Sequence, residues 1–117
     1  MSSERPLVVL IVEDDSAIRE LSAMILEDAG HEVHAVRDGD AADAWLQQNE
    51  ADLLFTDIRM PGRITGEELA RRHAHMRVLV TSGELKEQHP WLDERMVYLP
   101  KPYDRKALLA AVRQLAA

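Results

Sequence analysis

Apolar residues along this chain fall into five short runs, at 7–12, 33–36, 53–56, 78–81 and 97–99. The first, third and fourth are continuously apolar rather than alternating, the pattern of strands covered on both faces of a parallel sheet. Between the runs the apolar spacing lengthens to that of helices. Ile18, Leu21, Ile25, Leu26 and Ala29 mark one face of a first helix that stops at Gly30, a residue suited to the position after a helix end. Ala42, Trp45 and Leu46 suggest a second helix. Thr65-Gly66-Glu67-Glu68 is a capping box opening a third, which carries Leu69 and runs to about Met76. Asp104 can cap the last helix, where Leu108, Ala111, Val112 and Leu115 share a face. Five strands alternating with helices predict a doubly wound α/β fold in one domain, residues 1–117.

In such sheets functional groups gather beyond the carboxyl ends of the strands. The first strand ends in Glu13-Asp14-Asp15 and the third in Asp57. The fourth ends in Thr81-Ser82-Gly83, and Lys101-Pro102 follows the fifth. The second ends in Arg37-Asp38-Gly39-Asp40, which reads as a plain turn. Asp57 stands at a costly place, because a strand leaving a core excludes unpaired charge. One polar residue at a strand end is ordinary. Acid, acid, hydroxyl and amine on one rim form a constellation.

Composition narrows the chemistry. The 117 residues carry 21 acidic and 14 basic side chains, a net charge of −7, which makes nucleic acid a poor partner. With no cysteine, disulfides and thiolate zinc sites are excluded, and a reducing cytoplasm fits. No apolar run approaches the roughly 20 residues of a membrane helix. There is no G-x-x-x-x-G-K-[ST] or G-x-G-x-x-G loop for a nucleotide. The five histidines show no chelating arrangement and read as surface residues; Trp45 reads as a core-edge residue and Trp91 as an anchor for its segment.

Three carboxylates brought together repel unless a cation sits among them, and Mg²⁺ with its oxygen ligands is the natural choice where a phosphate completes the shell. A lysine cannot ligate Mg²⁺, but it can hold a phosphoryl oxygen, and a hydroxyl beside it can donate to another. The set fits phosphoryl transfer onto a carboxylate.

The pieces "LIVEDD", "TDIRMPG", "VTSG" and "YLPKPY", in that order on those elements, resemble the receiver domains of bacterial two-component response regulators. The resemblance spans essentially the whole chain. It implies a flavodoxin-like sheet of order 2-1-3-4-5. It implies that Asp57 accepts a phosphoryl group from a histidine kinase or a histidine phosphotransfer protein. Glu13, Asp14, Asp57 and the backbone carbonyl of Arg59 become the Mg²⁺ ligands, and Asp15 is left to cap the first helix. Lys101 becomes the phosphate-holding lysine, followed by a cis Lys101–Pro102 bond, and Tyr98 the switch aromatic. Thr81 and Ser82 both remain candidates for the hydroxyl; Ser82-Gly83 aligns better with the family's hydroxyl-plus-small pair. The implied protein is a switch in the cytoplasm, a monomer or weak dimer, that assists its own phosphoryl transfer without being a turnover enzyme. Its output passes to a downstream protein the sequence does not identify, at the face of the fourth helix and fifth strand.

Two rival readings make distinct demands. An aspartyl phosphohydrolase usually has Asp-x-Asp at the first strand end, where this chain has "EDD". A degenerate receiver lacks one of the acids, the acceptor or the lysine, and none is missing here.

Departures from the family pattern carry their own expectations. The loop Gly62-Arg63-Ile64-Thr65-Gly66 is one residue longer than usual, which changes its shape without removing chemistry. Pro90 interrupts the stretch 84–97, so the fourth helix should be short, irregular or mobile, with phosphorylation ordering it. Arg59 and Glu84, two residues beyond Asp57 and Ser82, flank the mouth of the site. They either pair and restrict attacking water or stand solvated independently, and the sequence leaves both open.

Overall fold

A computed structural model describes residues 5–60 and 62–116. The strands are β1 (Val8–Val12), β2 (Glu32–Val36), β3 (Leu53–Asp57), β4 (Arg77–Ser82) and β5 (Met96–Pro100). The helices are α1 (Ser16–Asp28), α2 (Gly39–Leu46), α3 (Gly66–Arg72) and α4 (Arg105–Ala116). All strand pairs are parallel, in the order β2-β1-β3-β4-β5. The three continuously apolar runs are the three interior strands. The two weaker runs are the edges, and β2 has no fully buried residue.

Successive residues of a strand face opposite sides, and that period divides the core into two layers. Val9, Ile11, Phe55 and Leu79 pack with Ile25 and Leu26 of α1 and Leu108 and Val112 of α4. Leu10, Val12, Leu54, Val78 and Val80 pack with Ala42 of α2 and Leu69 and Ala70 of α3. Ile64, from the lengthened loop, is buried in this second layer, so the extra residue leaves the core filled.

The caps are local and form as the sequence indicates. Asp15 accepts the Ile18 N–H (3.0 Å), Thr65 the Glu68 N–H (3.1 Å) and Asp104 the Ala107 N–H (2.8 Å). Gly30 ends α1 at φ +98°, a left-handed value that side chains disfavour. Arg37-Asp38-Gly39-Asp40 is more than a plain turn: Asp38 caps α2 by accepting the Ala41 N–H (2.8 Å). The Glu68 carboxylate of the expected capping box turns instead to Arg72, one helical turn on (3.0 Å).

Two expectations need correction. Leu21 is 58% exposed, and the core position beside it belongs to Ser22, whose hydroxyl is bonded to the Tyr103 hydroxyl (2.7 Å). Helix α3 stops at Arg72 rather than near Met76. Just past its end, the Arg95 guanidinium donates to the carbonyls of Ala70 (2.9 Å), His73 (3.2 Å) and Met76 (2.8 Å). The Ala70 carbonyl is one that the helix end leaves open, and the other two belong to the turn that follows, so one side chain ties the end of α3 to that turn. Replacing Arg95 with Met will lower stability by about 1–2 kcal/mol, read as a lower urea midpoint at unchanged slope.

The stretch after β4, expected to hold a short or irregular fourth helix, forms a single 3₁₀ turn at Lys86–Gln88 ahead of Pro90. It is irregular but anchored. His89 is buried, Trp91 and Leu92 pack on the second core layer, and Arg95 ties its far end to α3. Among the described residues no helix is long and apolar enough to cross a membrane.

Candidate functional site

Parallel strands place all their carboxyl ends on one rim, and four of the five deliver a functional group there. Glu13 follows β1, Asp57 is the last residue of β3, Ser82 the last of β4, and Lys101 follows β5. Asp57 is 6% exposed and Glu13 3%, so both carboxylates stand in the shelter of the sheet edge. The main chain fixes them. Thr56 Oγ1 donates to the Asp57 carbonyl (2.8 Å), and the Ile58 N–H bonds the Thr81 carbonyl across to β4 (3.0 Å). The Arg59 N–H donates to Asp57 Oδ1 (3.2 Å), so the chain curls around the acid it has just left. Glu13 is held through its carbonyl by Arg19 (2.9 Å) and through Oε2 by the Asp15 N–H (3.0 Å).

The Lys101 ammonium lies between the two acids. It donates to Asp57 Oδ2 (2.6 Å) and stands 2.9 Å from Glu13 Oε1. Alignment favours Asp57, which leaves Glu13 Oε1 buried without a well-directed donor. Burial draws the Lys101 pKa down, but the hydrogen bond to Asp57 and the pairing with both carboxylates outweigh it and the net shift is upward. Glu13 is pushed up, chiefly by burial and against the pull of Lys101. The bond from Lys101 to Pro102 is cis, as the resemblance implies.

Oxygen atoms from Glu13, Asp14 and Asp57 lie within 4.8 Å of one another. Two of these acids are buried and Asp14 is exposed. An all-oxygen donor set, in which the buried Glu13 Oε1 has an ion pair but no aligned hydrogen bond, fits a hard divalent cation such as Mg²⁺.

At the end of β4 the two hydroxyls differ. Thr81 Oγ1 is committed to the Leu99 carbonyl on β5 (2.7 Å). Ser82 Oγ accepts the Glu84 N–H (3.0 Å), which leaves its own proton to donate and favours it as the site's hydroxyl. The Tyr98 hydroxyl, half-buried on β5, donates to the carbonyls of Glu84 and Ser82 and so ties that loop to the sheet edge. Arg59 and Glu84 do pair: Arg59 Nε donates to Glu84 Oε1 (2.9 Å). The bond and the attraction behind it hold Glu84 below the usual carboxylate range and Arg59 above its own.

Residues 9–113 match the response regulator receiver domain family. The chain belongs to that family. It is 38% identical over 119 residues to the transcriptional regulatory protein FixJ of Azorhizobium caulinodans, covering 92% of this chain and 54% of that protein. Among solved structures, the receiver domain of the hybrid histidine kinase CckA is 32% identical with a TM-score of 0.78, covering 94% of this chain and 99% of that one. The chemotaxis response regulator CheY4 of Vibrio cholerae is 27% identical with a TM-score of 0.80, covering 95% and 99%. The chain spans about half or less of the length of the curated relatives it matches. Receiver domains serve two-component signalling and interact with histidine kinases.

In this receiver domain, sequence reasoning missed several residues around the site. The surface expectation for the histidines fails at His89, which is buried behind Glu84, and in part at two others. His73 is half-buried against Asp43 (3.0 Å), and His31 Nδ1 accepts the Leu7 N–H (3.1 Å). His34 and His75 are exposed, His34 being stacked on Trp45 with ring centroids 4.8 Å apart. The dipeptide His89-Pro90 was the available signal, since the residue before a proline is conformationally restricted. Tyr103 was missed too; its hydroxyl links the segment after Lys101 to Ser22 on α1.

Proposed function

We propose that this domain is a phosphoacceptor switch: Asp57 takes a phosphoryl group from the phosphohistidine of a histidine kinase or a histidine phosphotransfer protein. The observation that carries the reading is the buried acid pair bridged by Lys101 at 2.6 and 2.9 Å. An Asp57 carboxylate oxygen attacks phosphorus while the donor's nitrogen–phosphorus bond breaks. The electron pair leaves with the imidazole, which takes up a proton. Lys101 then holds a phosphoryl oxygen and Ser82 donates its proton to another. Glu13, Asp14, Asp57 and the Arg59 carbonyl would hold Mg²⁺, which when bound neutralises charge on the phosphoryl oxygens. Attack by water on phosphorus later returns the carboxylate and releases inorganic phosphate. The domain assists both steps on itself and is not a turnover enzyme.

The donor must bring its histidine to the rim. Leu21 and Met24, 58% and 59% exposed on α1, offer it an apolar contact on the helix that starts beside Glu13. This accounts for an apolar residue on the solvent side. Output goes to a downstream protein at the face of β5 and the irregular segment before it, and a cytoplasmic setting belongs to the same reading.

Incubation with acetyl phosphate and Mg²⁺ tests it. Intact-mass analysis will show a single phosphoryl adduct in the wild type and none in Asp57→Asn. An adduct that persists in the variant overturns the assignment.

A further inference from the structure

Glu84 is gripped on every side. Its N–H donates to Ser82 Oγ, its carbonyl accepts from Tyr98, and its carboxylate takes the Arg59 guanidinium. A fourth group approaches from behind: His89 Nε2 is 3.2 Å from the same Oε1 that Arg59 uses. Against a carboxylate, which only accepts, this nitrogen carries a proton. His89 is 6% exposed, with its ring 6.3 Å from that of Tyr98 and 6.2 Å from that of Trp91, centroid to centroid. Yet the N–H misses the line of the carboxylate, and among the described residues it has no aligned acceptor. Leaving a buried donor unmet is costly, so its nearest acceptor is a natural second seat.

Phosphorylation changes the competition for Glu84. A phosphoryl dianion on Asp57 attracts Arg59, two residues along the chain, and draws the guanidinium away from Glu84. We propose that His89 is a positioning residue that then retains the Glu84 carboxylate at the mouth, keeping water from the acyl phosphate and lengthening its lifetime. His89 touches neither the phosphoryl group nor the acid cluster; it acts through Glu84. The inference rests on Asp57 being the phosphoacceptor.

The test is to load the whole chain with acetyl phosphate and Mg²⁺, remove the donor, and follow loss of the adduct by intact mass. His89→Phe keeps a ring beside Tyr98 and Trp91 but has no donor, and its adduct will decay about five-fold faster, the scale of one lost hydrogen bond. His89→Gln, whose amide reaches about as far as Nε2, will decay within about two-fold of wild type, whereas the shorter His89→Asn will resemble Phe. This Gln–Asn contrast carries the test if Phe disturbs the packing, because both amides are equally foreign to an aromatic pocket. In a Glu84→Ala background, His89→Phe will add nothing further. Equal lifetimes in the Gln and Asn variants, or a Phe effect undiminished without Glu84, overturn the proposal. A wild type that takes no adduct removes the Asp57 reading itself, and this inference with it.

Discussion

Gly66→Ala will disable Asp57 without altering any polar group of the site. A Cβ at Gly66 would overlap the Asp57 carbonyl oxygen and lie 2.8 Å from the Ile58 Cα. Both obstacles are backbone, so no side chain can swing aside. The close approach is part of the construction, because the Gly66 N–H donates to the Ile58 carbonyl (3.1 Å) and closes the loop that leaves Asp57. The variant must push α3 away from the end of β3. The expected cost is about 2 kcal/mol of stability, the usual scale of overpacking against an unyielding wall. Displacing the acceptor by a fraction of an ångström will also slow labelling by acetyl phosphate about tenfold or more. Gly83 gives the control. It too borders the site, but a Cβ there meets nothing within 4 Å, so Gly83→Ala will change stability by less than about 0.5 kcal/mol. Urea unfolding and mass-based labelling measure both. If Gly66→Ala labels as fast as Gly83→Ala, the contact does not position the acid.

The same pair of glycines marks the boundary of what a sequence can show. Strand runs and caps were legible because they are local: Asp15, Thr65 and Asp104 each act within three residues. The rim was legible for a topological reason. Parallel strands all end on one side, so Asp57 and Lys101, 44 residues apart, could be placed together before any distance was known. What escaped depends on contacts between distant segments. Ser22 takes a core position from Leu21 because Tyr103, 81 residues later, satisfies its hydroxyl. The turn after helix α3 is held to it by Arg95, 25 residues beyond Ala70. His89 is buried because a segment without a regular helix still has to close over the second core layer, and it does so with His89, Trp91 and Leu92. None of these leaves a periodic signal.

Lys101→Met tests whether the acid cluster depends on a cation, and its effect will be large in the absence of metal. The substitution keeps much of the aliphatic stem while removing the charge, leaving the Glu13 and Asp57 carboxylates facing each other at 3% and 6% exposure. Breaking a buried ion pair from one side costs more than the pair contributes. The lysine side chain is itself 21% exposed, so solvent screens part of the loss, and the expected destabilisation is about 2 kcal/mol at neutral pH. Its pH dependence follows from two shifts of opposite consequence. Lys101 is raised above its ordinary 10.5, so its contribution is complete at neutral pH and fades only as pH climbs through the still higher folded value. Glu13 is raised above its ordinary 4.5, so the fold favours its protonated form; that contribution is complete below 4.5 and is lost as pH rises through the raised value. In the variant no ammonium opposes this rise. The gap between wild type and variant will therefore be widest near neutrality and will narrow as pH falls through the raised value at which Glu13 takes up a proton. Mg²⁺ at neutral pH will narrow it as well, since a cation among Glu13, Asp14 and Asp57 stands in for the missing ammonium. On the proposed reaction, phosphorylation will not recover with it, because Lys101 is the group assigned to hold the phosphoryl oxygen. Thermal unfolding across pH, with and without Mg²⁺, measures the stability effects, and acetyl phosphate labelling followed by intact mass measures the phosphorylation. A variant as stable as wild type in metal-free buffer at neutral pH would show that the two acids tolerate each other without Lys101.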